Sequence, residues 1–259
     1  MKHMANLSNK TALVTGASRG IGRATALALA EANARVIVHY GQSTAEAKTV
    51  VEEIRTAGGQ ADLVQADLGT PDGATTLARR VRGLVEKQLD ILVSNAGVSK
   101  AGAFEDFKFE DFDRLFTINV RSPFFLVQQT LPVLAEGASV ILVSSGLARM
   151  VPGNPGQADA PALSAYAATK GAVETLVRHW AAAFGARRIR VNAVAPGIIE
   201  TDISSFTKTE TGRHLALAMQ ALKRIGQPSD VADVITFLCS ENARWITGAS
   251  IPVDGGSKL

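Results

Sequence analysis

Short runs of Val, Ile and Leu alternate with longer stretches of helical periodicity along the whole chain. The apolar runs predict strands at Thr11–Thr15, Arg35–His39, Ala61–Ala66, Ile91–Ser94, Ser139–Ser144, Arg190–Ala195 and Ser250–Val253. Several are continuously apolar, as strands covered on both faces of a parallel sheet are. The stretches between them predict helices at Ile21–Ala32, Thr44–Ala57, Asp72–Lys87, Glu110–Leu134, Ala165–Phe184 and Ser229–Ser240. Strand and helix in strict alternation predict an α/β fold, a doubly wound parallel sheet with helices on both faces. No linker, composition shift or repeat divides the chain, so residues 10–259 read as one domain behind a tail of residues 1–9. Met1–His3, ahead of Met4, reads as a tag remnant and carries no fold argument. Two segments break the rhythm: 146–164, rich in Pro and Gly towards its end, and 198–223, polar and weakly helical. Both follow strands, at the edge where open α/β sheets bind ligands, and both read as substrate loops.

Composition narrows the class. The 259 residues are 46% hydrophobic and 20% charged, which fits a folded globular chain. Net charge is only +3, and the densest basic cluster, Arg187-Arg188-Ile189-Arg190, leads into an apolar strand. Nucleic acid is therefore not an expected partner. No apolar run is long enough to span a membrane. A single cysteine, Cys239, sits in an apolar stretch, which points to a reducing, cytoplasmic setting and to no metal site. The terminal Ser257-Lys258-Leu259 matches a peroxisomal address by three residues alone, and chance is the preferred explanation.

Two motifs carry chemistry. Thr15-Gly-Ala-Ser-Arg-Gly-Ile-Gly22 lies between the first strand and the first helix, where a dinucleotide fingerprint belongs. Gly16 allows the tight turn, Gly20 and Gly22 allow close approach, and the helix N-terminus offers free amides to a pyrophosphate. Far downstream, Tyr166 and Lys170 are spaced to share a helix face. A cation beside a phenol favours phenolate and is expected to lower the Tyr166 pKa.

With Asp67-Leu68, Asn95-Ala96-Gly97, Asn119, Ser144-Ser145, Pro196-Gly197, Thr201 and Asp254-Gly255-Gly256 in the same order, the chain resembles the short-chain dehydrogenase/reductase family over nearly its whole length. The resemblance implies a single-domain Rossmann fold with strand order 3-2-1-4-5-6-7 and a homotetramer, or else a dimer. It implies catalysis by Ser145, Tyr166, Lys170 and Asn119, with Tyr166 as proton donor, Ser145 bonded to the substrate oxygen, and Asn119 supporting a proton path from Lys170. It implies a cofactor site drawn from Gly16, Ser18, Arg19, Gly20, Ile21, Gly22, Tyr40, Ser43, Asp67, Leu68, Asn95, Ala96, Gly97, Tyr166, Lys170, Pro196, Gly197, Ile199 and Thr201. Asp67 would meet the adenine edge, Asn95 to Gly97 would floor the adenosine ribose, and Thr201 with the backbone near Ile199 would hold the nicotinamide carboxamide.

The cofactor choice turns on the end of the second strand. Val36 to Ser43 holds no acid to bind a free ribose 2′-OH, and Arg19 in the glycine turn suits a 2′-phosphate. NADP(H) is expected over NAD(H), with Ser43 as a further donor. The expected reaction is reversible hydride transfer from NADPH to a small ketone, aldehyde or keto ester. Leu147, Met150, Val151, Ile198 and Phe206 are the candidate substrate contacts. Ser145 and Tyr166 stand 21 positions apart, more than the family usually shows, so the loop between them reshapes the entrance. The first alternative is a 3-oxoacyl thioester on acyl carrier protein or coenzyme A. Arg187 would match one docking residue, but Phe125 stands where the other belongs. An NAD-linked sugar or alcohol dehydrogenase and a non-catalytic dinucleotide-binding regulator complete the alternatives. Trp180 and Phe184 on the Tyr166 helix face either a partner subunit or the core.

Overall fold

The computed structural model describes residues 6–85, 88–151, 163–201, 204, 207 and 209–257. Among these, seven parallel strands run in the order β3-β2-β1-β4-β5-β6-β7. The strands are β1 (Thr11–Val14), β2 (Arg35–Tyr40), β3 (Gln60–Gln65), β4 (Leu89–Ser94), β5 (Leu134–Val143), β6 (Arg190–Pro196) and β7 (Ser250–Val253). The helices are α1 (Gly20–Glu31), α2 (Thr44–Thr56), α3 (Gly73–Leu84), α4 (Phe109–Phe116), α5 (Ser122–Thr130), α6 (Ser164–Phe184), α7 (Glu210–Ala218) and α8 (Pro228–Cys239).

The continuous apolar strands are buried on both faces, as their composition requires. One core packs Val14, Val36, Val38, Ile91 and Val194 against α1, α2 and α8, with Leu29, Val50 and Ile235 among the helix residues. The other packs Leu13, Leu92, Val140, Leu142 and Val191 against α3, α5 and α6 through Leu77, Leu126 and Val177. Leu7, assigned to the tail by sequence, belongs to the first core, and its amide donates to the Ala32 carbonyl at 2.7 Å.

One predicted helix is wrong in form. Glu110–Leu134 is not continuous: α4 ends at Phe116, a π-helical turn covers Thr117–Arg121, α5 follows, and a 3-10 turn covers Leu131–Val133. Pro123 lacks the amide that would donate to the Asn119 carbonyl in a regular α-helix. The ladder widens instead, and the Ser122 amide reaches back to the Thr117 carbonyl. Leu134, placed at the helix end by periodicity, opens β5.

The basic cluster is used internally. Arg187 donates to the carbonyls of Leu131 and Leu134 at 2.9 and 2.5 Å. Arg188 pairs with Glu136, and Arg190 donates to Leu238 and Ala243 carbonyls. Trp180 is buried, Phe184 partly so, and the two rings stack within the second core, 6.4 Å between centroids. Packing within this core accounts for the burial of Trp180. Burial pushes the Cys239 thiol up to about 12, which leaves it an inert core residue.

Candidate active site

The site forms where β1, β4 and β5 end and α1 and α6 begin. Thr15 Oγ1 accepts the amides of Asn95 and Ala96 at 3.0 and 2.9 Å. Asn95 Nδ2 returns two bonds, to the carbonyls of Thr15 (2.9 Å) and Gly16 (3.1 Å). These four bonds lock the glycine turn onto the end of β4. Gly16 has φ +62°, and a Cβ on it would lie 3.0 Å from Ala96 Cα. A Cβ on Gly22 would lie 2.2 Å from the Gly16 carbonyl oxygen. Asn95 thus holds the turn from beneath.

A residue that sequence reasoning passed over completes the turn. His39, at the end of β2, accepts the Gly16 amide on Nδ1 at 3.1 Å and bonds the Ala66 carbonyl through Nε2 at 3.1 Å. That pattern fixes the neutral ring with its proton on Nε2. Burial lowers its pKa from 6.5 to about 4. The available signal was a polar residue at the end of the apolar run Val36–Val38.

The start of α1 suits an anion. Its N-cap is Arg19, which makes no side-chain cap, and its first turn holds no acidic residue. The first amides of a helix have no intrahelical acceptors. Together with the glycine cradle, this fits the pyrophosphate of a dinucleotide. Thr201, predicted to hold the carboxamide, lies against the same turn: a Cβ on Gly20 would sit 3.3 Å from Thr201 Cγ2. Arg19 is exposed, Ser18 and Ile21 half-buried, and Ile21 packs on the first core. Ser43 sits at the N-cap of α2. Tyr40 and Leu68 are core side chains. Asp67 is exposed and accepts the Gly69 amide at 2.8 Å. Ile199 is buried and bridges to Gly226, and Gly197 fits against Asp254, 2.7 Å from a Cβ placed on it. Pro196 ends β6, and its carbonyl lies 3.6 Å from a Cβ placed on Gly146.

Ser145 follows the end of β5, Tyr166 and Lys170 lie along α6, and Asn119 lies in the π-helical turn. The Ser145 hydroxyl lies close enough to the Tyr166 phenol to favour its ionised form. Ser145 Oγ accepts the Leu147 amide at 3.2 Å. Lys170, one turn along α6, donates to the Val143 carbonyl at 2.8 Å. Asn119 accepts the Val98 amide and donates to the Val98 carbonyl, both at 2.9 Å, and donates to Thr169 Oγ1 at 3.1 Å. A Cβ on Gly97 would lie 3.2 Å from Asn119 Oδ1 and 3.6 Å from Lys170 Nζ, so the bare glycine keeps open the space both residues face.

The electrostatics correct one expectation. Burial raises the Tyr166 pKa, and the Ser145 hydroxyl opposes it only in part. Burial likewise lowers Lys170 from 10.5 to about 8. Desolvation of both groups therefore outweighs the pull of the cation on the phenol.

Among the substrate candidates, Leu147, Met150 and Ile198 are half-buried and Val151 is exposed. Phe206 lies outside the described residues, as do Lys258 and Leu259 of the terminal tripeptide. Among the described residues no cluster of His, Cys, Asp or Glu could hold a metal.

A sheet of this order with this site is that of a dinucleotide-linked oxidoreductase. A family model described as Enoyl-(Acyl carrier protein) reductase matches residues 16–258. Versicolorin reductase 1 of Aspergillus parasiticus is 41% identical over 97% of this chain and 97% of its own length. Tetrahydroxynaphthalene reductase of Pyricularia oryzae is 37% identical over 98% of this chain and 91% of its own. The crystal structure of angucycline C-6 ketoreductase LanV with bound NADP superposes with a TM-score of 0.90, at 43% identity and 98% of both chains. The chain belongs to the short-chain dehydrogenase/reductase family.

Proposed function

We propose that this chain is an NADPH-dependent ketoreductase acting on a ketone carried by a polycyclic aromatic framework. The observation that carries the reading is the arrangement at Tyr166, with Lys170 Nζ 5.6 Å from the ring centroid and the Ser145 hydroxyl acting on the phenol. It supplies a proton donor and a second hydrogen-bond donor at one point, as reduction of a carbonyl requires. A dinucleotide held at the glycine turn and the start of α1 would supply the hydride. Tyr166, held protonated by burial, donates to the nascent alkoxide. Ser145 holds the same oxygen and orients the ketone. Lys170, reaching the open space at Gly97, replaces the phenol proton by way of the polar groups that Asn119 positions.

The names of the relatives support the substrate class: versicolorin, tetrahydroxynaphthalene and an angucycline are their partners in name. The half-buried Leu147, Met150 and Ile198 suit an apolar ring system. Against the carrier-protein alternative, Arg187 spends its guanidinium on the Leu131 and Leu134 carbonyls. NADP(H) is favoured by Arg19 at the glycine turn and by the absence of an acid at the end of β2.

The proposal includes a cytoplasmic homotetramer. Phe109, Phe112, Phe124 and Phe125 are exposed on α4 and α5, and a groove of about 460 Å³ runs beside Phe116, Val120, Phe124 and Phe125. A second copy of the chain is the occupant favoured. Light scattering that returned a monomer at micromolar concentration would remove this part.

The test is a turnover panel of hydroxylated naphthalenones, anthrone-type ketones, small keto esters and 3-oxoacyl thioesters, each with NADPH and NADH. Consumption of NADPH with the polycyclic ketones is expected. Activity confined to thioesters or to NADH would overturn the reading.

A further inference from the structure

A buried carboxylate beside the reacting groups has no part in the proton transfer. Glu174 lies one turn beyond Lys170 on α6, so Tyr166, Lys170 and Glu174 recur every four residues on one helix face. Three segments each send a polar side chain to it. Its Oε1 accepts Ser144 Oγ at 3.2 Å from the residue after β5, and Ser250 Oγ at 2.8 Å from the start of β7. Its Oε2 accepts Arg149 Nε at 2.8 Å from the segment that leaves Ser145. Ser144 Oγ also lies 3.3 Å from the Lys170 carbonyl. The Glu174 side chain is 7% exposed and that of Arg149 48% exposed.

An apolar residue would fill this position on α6 without desolvating a carboxylate, and a buried ion pair is weak as a source of stability. What the carboxylate does have is reach. Ser144 is covalently next to Ser145, and Arg149 closes the short turn Gly146–Ala148 that Ser145 caps. A Cβ on Gly146 would meet Met150 Sδ at 3.5 Å, so the same turn sets where Met150 stands.

We propose that Glu174 is a positioning residue: through Ser144 and Arg149 it registers Ser145 and the entrance segment Gly146–Met150 to the helix that carries Tyr166 and Lys170. The proposal rests on the ketoreductase reading for its kinetic consequence, not for its structural one. Glu174→Gln keeps an acceptor for Ser144 and Ser250 and removes the charge that holds Arg149. Arg149→Met releases the entrance segment and leaves α6 intact. Arg149→Lys keeps a cation of similar reach.

Three readouts on the full chain separate the outcomes. Hydrogen exchange of the amides from Ser144 to Met150 is expected to quicken in Glu174→Gln and Arg149→Met and to recover in Arg149→Lys. For a bulky ketone, Arg149→Met is expected to raise KM, whereas Glu174→Gln lowers kcat by roughly tenfold or more, since small misplacements at a reacting centre are costly. NADPH affinity, read by fluorescence, stays at the wild-type value in each. The double variant Glu174→Gln/Arg149→Met should lose no more than the worse single variant. Lowered melting temperature with unchanged exchange, KM and kcat would overturn the proposal. If the wild-type chain reduces no ketone, the ketoreductase reading fails, and the exchange measurement alone still decides the role of Glu174.

Discussion

The ammonium of Lys170 stands 5.6 Å from the centroid of the Tyr166 ring and donates to the Val143 carbonyl. The cation therefore lies towards the face of the phenol, and burial acts on both groups at once. Each is pushed towards its neutral form: tyrosine up, lysine down to about 8. Below that pH Lys170 is charged and can pass a proton to Tyr166; above it the group is neutral.

The first prediction follows from that sign. In the reduction direction, kcat/KM should fall as pH rises through about 8. Kinetics with NADPH and a fixed ketone across the range measure it. A profile that stays flat to pH ~10, the ordinary lysine range, would contradict it.

Cofactor choice gives the second. Arg19 stands exposed in the glycine turn, at the N-cap of α1. Arg19→Ala should raise the KM for NADPH by about tenfold to a hundredfold, the worth of one or two hydrogen bonds to a charged group. The KM for NADH should change little. Equal losses with both cofactors would show that Arg19 acts on the turn and not on the 2′-phosphate.

His39 supplies the third. Its pKa is lowered on folding, from 6.5 to about 4. Between those values the unfolded chain binds a proton that the folded chain refuses. Stability from this group is complete above pH 6.5, declines as pH falls, and is exhausted near about 4. The full loss is about 3 kcal/mol. His39→Asn, which can still accept the Gly16 amide and donate to Ala66, should flatten that part of the decline. Urea unfolding at pH values spanning the window, on both proteins, measures it.

Much of this was legible in the sequence, and for an identifiable reason. The strands announced themselves because burial on both faces demands unbroken apolar runs. Gly16 and Gly22 announced themselves because nothing larger fits there. Tyr166 and Lys170 were found by their spacing taken together with the glycine turn and the motifs that stand in order with them. What stayed hidden depends on atoms brought together from distant segments. The π-helical turn at Asn119 needs Pro123 to deny it a donor, and periodicity saw only a long helix. His39 and Glu174 read as unremarkable polar residues until Gly16, Ser144, Arg149 and Ser250 are placed around them. Desolvation, which reverses the expected shift at Tyr166, has no local signature at all.

Arg187 provides the fourth prediction. Its guanidinium satisfies two carbonyls at the bend into β5. Arg187→Met should cost about 2 kcal/mol, since two acceptors lose a charged donor. The melting temperature should drop by roughly 4–8 °C. Activity towards a free ketone per folded molecule should be retained. Selective loss of activity on carrier-linked thioesters, with no loss of stability, would restore the docking role.

The central claim is that Tyr166 delivers the proton in an NADPH-dependent ketone reduction. Its most direct test is single-turnover reduction by wild type and Tyr166→Phe, followed by nicotinamide absorbance, with NADPH affinity measured in parallel. The expected result is a fall in the chemical step of at least ~10²-fold, the range of general acid catalysis, with NADPH affinity unchanged. A Tyr166→Phe variant that reduces the ketone at near the wild-type rate would contradict the account.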